Sequence, residues 1–261
     1  MAKLPKEDVI DDKPMPLLDH LVELRTRLLW SMGAFMIAFF ISYHFSSAIY
    51  SFLAEPLANL LEQRGQNRRL IFTSLTEGFF TYLRVAFFGA AFVAFPIIAS
   101  QIYLFIAPGL YRSEKHAFLP FLLATPVLFV MGSALAYYFV FPFAWSFFLS
   151  FETPTGGGGL PIQLEAKVGE YLDLVMKLIF AFGIAFQLPV ALSLMAKVGI
   201  ISSASLKKYR RYAYVGMFVI AAILAPPDVI TQIGLAVPLI GLYEISIIAA
   251  KIVEPKPVNE D

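Results

Sequence analysis

Two acidic side chains in this sequence have the surroundings to hold a pair of guanidinium groups. Glu23 lies in the run His20-Leu21-Val22-Glu23-Leu24-Arg25-Thr26-Arg27, directly before the first long apolar stretch, and Glu114 lies in the polar link 108–116. A carboxylate grips a guanidinium through two parallel charge-assisted bonds, a fork that lysine cannot reproduce. Each such bond is worth about 1.5–3 kcal/mol. A plainer reading stands beside this one. Glu23 and Arg27 form an i, i+4 pair in a charged anchor that only orients the chain, and Glu114 pairs with Arg112, Lys115 or a nearby helix end. Gln187, deep in an apolar run, is a two-way hydrogen-bonding group for another helix of this chain or of a partner, at about 0.6–2 kcal/mol. Asp228, after Pro226-Pro227, is an N-cap or a partner contact. Pro56 and Pro189 are turn or kink positions.

The elements that must carry these residues are membrane helices. Hydrophobic residues make up 59% of the 261, with 26 Phe and a mean hydropathy of +0.73. That exceeds the roughly 45–50% of a soluble domain. Leu17, Leu21, Leu24 and Leu28 recur at helical spacing as an apolar stripe, with His20, Glu23 and Arg27 on another face. Apolar runs then predict spans at 28–50, 79–105, 117–151, 171–196, 212–224 and 229–250. The first is too long for a signal-peptide core and is read as retained. Residues 52–61 read as a stretch lying along the interface, the third run as a long bent span, and the last two spans as short. The prediction is an all-α polytopic membrane protein: a polar tail at 1–16, one six-helix domain at 17–251 and a polar tail at 252–261.

Six spans put both termini on one side. Fourteen Lys and Arg fall in segments 1–27, 106–118, 197–211 and 251–261, and four in 51–78, 152–170 and 225–228. The positive-inside rule therefore predicts cytoplasmic termini, with Glu23 and Glu114 on one membrane face. The near balance of 20 basic and 19 acidic residues argues against nucleic acid as a partner. There are no cysteines, which excludes disulfides and thiol chemistry. Gly156–Gly159 lacks the ending of a phosphate loop, and no HExxH or GxSxG motif is present, so no enzyme, cofactor or metal is expected. A carrier or channel for a small solute remains the competing class, and it needs a polar cavity around Gln187.

Five stretches, in order, carry a resemblance to the TatC family, the receptor subunit of the twin-arginine translocase. His20-Leu21-x-Glu23-Leu24-Arg25-x-Arg27 resembles its amino-terminal signature, and Phe105-Ile106-Ala107-Pro108-Gly109-Leu110-Tyr111-x-x-Glu114 its first cytoplasmic loop. Phe139-Val140-Phe141-Pro142, Ala185-Phe186-Gln187-Leu188-Pro189-Val190 and Pro226-Pro227-Asp228-Val229 resemble segments of its third span, its fourth span and the turn before its sixth. The resemblance implies a concave, glove-like bundle in the inner (plasma) membrane. It implies recognition of twin-arginine signal peptides on folded cargo, TatA-type and TatB-type single-span partners, self-association within the receptor complex, contact with lipid, and transport driven by the proton-motive force. By position, it implies that Glu23 and Glu114 accept the two arginines while Leu24, Arg25, Arg27 and Phe105 shape the site. Gln187 and Pro189 would meet a partner helix, and Pro56 and Asp228 would be functional outer-loop positions. Many relatives carry Glu where this chain has Gln187, so a proton-carrying role for that position is doubtful.

Overall fold

The computed structural model describes residues 17–64, 69–106, 119–153, 162–224 and 229–254. Among them the chain is mostly helical, with no strand longer than an isolated bridge. The helices are α1 Leu17–His44, α2 Ser46–Gln63, α3 Glu77–Ile106, α4 Leu119–Leu135 and α5 Phe141–Leu149, followed by α6 Val168–Ala185, α7 Leu188–Lys197, α8 Ser203–Lys208, α9 Arg210–Leu224 and α10 Val229–Val253. A π turn, Ala136–Val140, joins α4 to α5. Five continuous or jointed stretches are long and apolar enough to cross a membrane: His20–His44, Glu77–Phe105, Pro120–Leu149, Val168–Lys197 and Thr231–Val253.

Three expectations change here. The first apolar run does not continue as one span to residue 50. It breaks at Phe45, and the chain continues as α2. Residues 52–61 belong to this helix, in which Leu53, Leu57 and Leu61 form a buried stripe at i, i+4, i+8. The last span is not short: α10 has 25 residues, about 37 Å at 1.5 Å per residue, and stays helical through Pro238 and past Lys251. Only α9, with 15 residues and about 22 Å, falls short of a ~30 Å core. The tail expected from 252 begins later, since α10 ends at Val253.

Packing follows the rule for helices in lipid, where close approach of small residues replaces hydrophobic drive. Ala38 of α1 packs against Ala90 and Ala94 of α3. At the α4–α6 crossing, a Cβ on Gly132 would sit 2.5 Å from the Phe182 carbonyl oxygen. One on Gly183 would sit 2.5 Å from Phe129 Cε2, so each glycine admits the other helix. The main buried cluster runs through α2, α5, α6 and α10, with Phe141, Val175, Leu178, Phe182 and Leu235 fully enclosed.

Prolines shape the helices, and polar side chains repair what they break. Pro56 lies in the interior of α2, between the first two candidate spans, and its missing N–H leaves the Phe52 carbonyl without its helical donor. Tyr137 Oη donates to that oxygen at 2.7 Å with its ring stacked on Phe52, and Tyr171 Oη donates to the next carbonyl, Leu53, at 2.8 Å. The π turn that presents Tyr137 ends at Val140, two residues before Pro142, with the Phe141 N–H reaching back five residues to Ala136. At the opposite end of α3 from its Gln101, Glu77 ties two loops together. Its Oε2 accepts from Thr73 N at 2.9 Å and its Oε1 from Gly169 N at 3.1 Å, beside the Ile71–Lys167 bridge.

Candidate signal-recognition site

The site at the start of α1 is built on the antiparallel contact of α1 with α3. Positions 23, 27, 31, 38 and 42 share one face of α1, and that face, not the leucine stripe, meets the protein. Leu21, Leu24 and Leu28 are 59%, 43% and 58% exposed. The apolar stripe therefore points away from the protein, where a bilayer solvates it, and the polar face points inward. This reverses the usual soluble arrangement and leaves polar groups against α3, where they find partners.

Glu23 Oε1 accepts from Arg27 Nη2 at 3.1 Å, and Arg27 Nη1 donates to Gln101 Oε1 at a long 3.4 Å. The Arg27 Nε–H is buried and has no acceptor among the described residues. His20 stacks on Phe105 with ring centroids 4.4 Å apart, closing the end of the seam. Arg25 and Leu24 lie exposed beside it. The arrangement thus brings together Glu23, Arg27 and Phe105, adds His20 and Gln101, and sets Leu24 and Arg25 at the rim. Glu114 and Asp228 lie outside the described residues.

Whether a visitor could enter depends on how tightly Glu23 is held. The pair is monodentate, and among the described residues Oε2 has no hydrogen-bond donor. Side-chain exposures of 31% for Arg27 and 21% for Glu23 leave the pair half-buried and reached by solvent, and an ion pair in contact with solvent contributes about 0.2–1 kcal/mol. Arg27 keeps Gln101 as a second partner if it lets go. A forked guanidinium, at about 1.5–3 kcal/mol per charge-assisted bond, has the energy to displace it.

The second polar site is of another kind. Gln187 sits at the break between α6 and α7, where Pro189 removes the donor for Ala185 and the Gln187 N–H turns to Ile184 O at 2.9 Å. That frees the Gly183 carbonyl, and Gln187 Nε2 donates to it at 3.4 Å and to Thr125 O of α4 at 3.1 Å. Both amide hydrogens serve the chain's own backbone, while Oε1 is buried without a donor. Pro189, buried at the start of α7, is part of the break. A cavity of about 390 Å³, lined by Ser42, Phe52, Phe88, Phe92, Tyr137 and Ile179 among others, does not include Gln187.

Comparison with known proteins decides among the classes. The family described as Sec-independent protein translocase protein (TatC) matches residues 19–238. The chain belongs to the TatC family. The TatC protein of Magnetococcus marinus is 48% identical over 250 residues, covering 96% of this chain and 89% of its own. That of Rickettsia prowazekii is 50% identical over 242 residues, covering 92% and 95%. A crystal structure of the twin arginine translocase receptor TatC superposes with a TM-score of 0.75 at 39% identity, covering 90% of this chain and 99% of that one. TatC membership makes this a multi-pass component of a protein translocase, a transport protein and not a conventional enzyme.

The sequence missed Tyr137, Tyr171 and Gln101. Tyrosines and a glutamine in apolar runs were the available signal, since buried hydroxyls and amides need partners. Pairing them with Pro56 or Arg27 required the fold.

Proposed function

We propose that this chain is the receptor of a twin-arginine translocase, binding Arg-Arg signal peptides of folded cargo at the cytoplasmic face through Glu23 and Glu114. One observation carries the reading: Glu23 is held by one oxygen in a partly exposed ion pair whose arginine has a second partner, beside an aromatic stack. A carboxylate so held is oriented yet open to exchange. Arg27 sets its orientation, Phe105 and His20 wall the site, and Leu24 and Arg25 form its rim. Counting the short α9 as a sixth crossing returns both termini to the cytoplasm, in a glove-like bundle in the inner membrane. TatA-type and TatB-type single-span proteins are the expected partners, with the proton-motive force as driver and self-association in the complex. Gln187 and Pro189 then offer a partner helix only an acceptor, Oε1, because the amide hydrogens are engaged. Pro56 acts through the shape of α2, and Asp228 is kept as a functional outer-loop position.

The test is crosslinking of a photoreactive Arg-Arg signal peptide to the purified chain in nanodiscs. Glu23→Ala and Glu114→Ala should each reduce capture about ten-fold or more, as should Lys-Lys in the peptide. Undiminished capture by both variants would refute the assignment. The carrier reading has no support from Gln187, whose amide is spent on backbone carbonyls.

A further inference from the structure

We infer that the α8–α9 junction is a binding site for the phosphate headgroup of an anionic phospholipid. Lys207, Lys208 and Arg211 are exposed, and with Lys197 and Lys251 none has a carboxylate within 4.0 Å among the described residues. The acids on the packed elements are already used. Glu244 of α10 is taken by Arg210 at 2.7 Å and by Tyr214 Oη, and Glu254 accepts from the Ser203 N–H at 3.2 Å. The patch is therefore left with unbalanced positive charge that the fold itself does not neutralise.

The junction is fixed rather than loose. Gly199, at φ 79°, closes α7, with its N–H on Ala196 O and the Ile200 N–H on Met195 O. Ser202 Oγ then caps α8, accepting from the Ser205 N–H. Leu206 is buried and its carbonyl accepts from Tyr243 Oη at 2.9 Å, which pins α8 to α10 with Lys207 and Lys208 turned outward. Between the cations stand Tyr209 and Tyr212, 54% and 67% exposed, with Lys208 Nζ 5.7 Å from one ring centroid and Arg211 Cζ 5.9 Å from the other. Exposed tyrosines at the foot of a short apolar helix are headgroup-level residues, and basic clusters at that depth attract anionic lipid. Cations alone would suit any polyanion; two exposed aromatic rings at the start of α9, which the proposed function counts as a membrane crossing, favour lipid.

The test is native mass spectrometry of the full chain released from phosphatidylcholine nanodiscs containing phosphatidylglycerol. Phosphatidylglycerol should be retained over phosphatidylcholine. K207Q/K208Q/R211Q should weaken retention roughly hundred-fold, about five-fold per cation, while K207R/K208R and the distant Lys177→Gln keep it. Circular dichroism of the triple variant checks its fold. Equal retention of both lipids, a triple variant that keeps its lipid, or displacement by inorganic phosphate at constant ionic strength would overturn the proposal.

Discussion

Glu23 and Gln187 are both polar groups in apolar surroundings, and the fold treats them in opposite ways. Glu23 stands on the most peripheral span: only 6% of the apolar window of α1 is buried, against 50% for the joined α6–α7 span that carries Gln187. Among the described residues the peripheral group has one exchangeable partner and one oxygen without a donor, and the central one spends both hydrogens on backbone carbonyls, that of Gly183 freed by the helix break and that of Thr125 in α4. On the proposed function, position in the bundle thus separates a polar group that recognises from one that holds the fold together. Polarity alone does not separate them.

The contrast can be broken from the core outward. Gly132→Ala should be most damaging, about 3 kcal/mol, because a Cβ 2.5 Å from a backbone oxygen forces α4 from α6. Gly33→Ala in α1, with nothing within 4 Å, should be neutral or slightly stabilising by thermal unfolding in the same detergent. Tyr137→Phe should cost about 1–3 kcal/mol by orphaning the Phe52 carbonyl, with faster amide exchange confined to α2. Gln187→Leu should cost about 0.6–1.7 kcal/mol and leave Arg-Arg peptide binding intact. A loss of peptide binding with unchanged stability would move Gln187 to the recognising class. Leu24→Ala should change stability by less than about 0.5 kcal/mol, since its side chain faces outward.

What the sequence could and could not reveal divides along the same line. Hydropathy located the spans, and the i, i+4 spacing of Glu23 and Arg27 gave their ion pair correctly. The leucine stripe beside them was legible as a face but not as an outward one, because periodicity does not say which solvent the apolar side prefers. α2 was hidden because its polar residues and Pro56 lower its hydropathy, while the tyrosines that tolerate the proline come from 85 and 118 residues away. The break at Gln187 was hinted by Pro189, but its repair through Thr125 needed α4 in place. Asp228 and Glu114 stay as sequence-level assignments, since they fall outside the described residues.

A double-mutant cycle puts the central claim to the sharpest test: Glu23→Gln in the chain against Arg→Lys in the peptide, with dissociation constants measured for all four pairs in nanodiscs. If Glu23 grips a peptide guanidinium, the two losses should overlap, giving a coupling of about 1–3 kcal/mol. Strictly additive losses, with coupling below about 0.3 kcal/mol, would mean that the carboxylate and the arginine never meet.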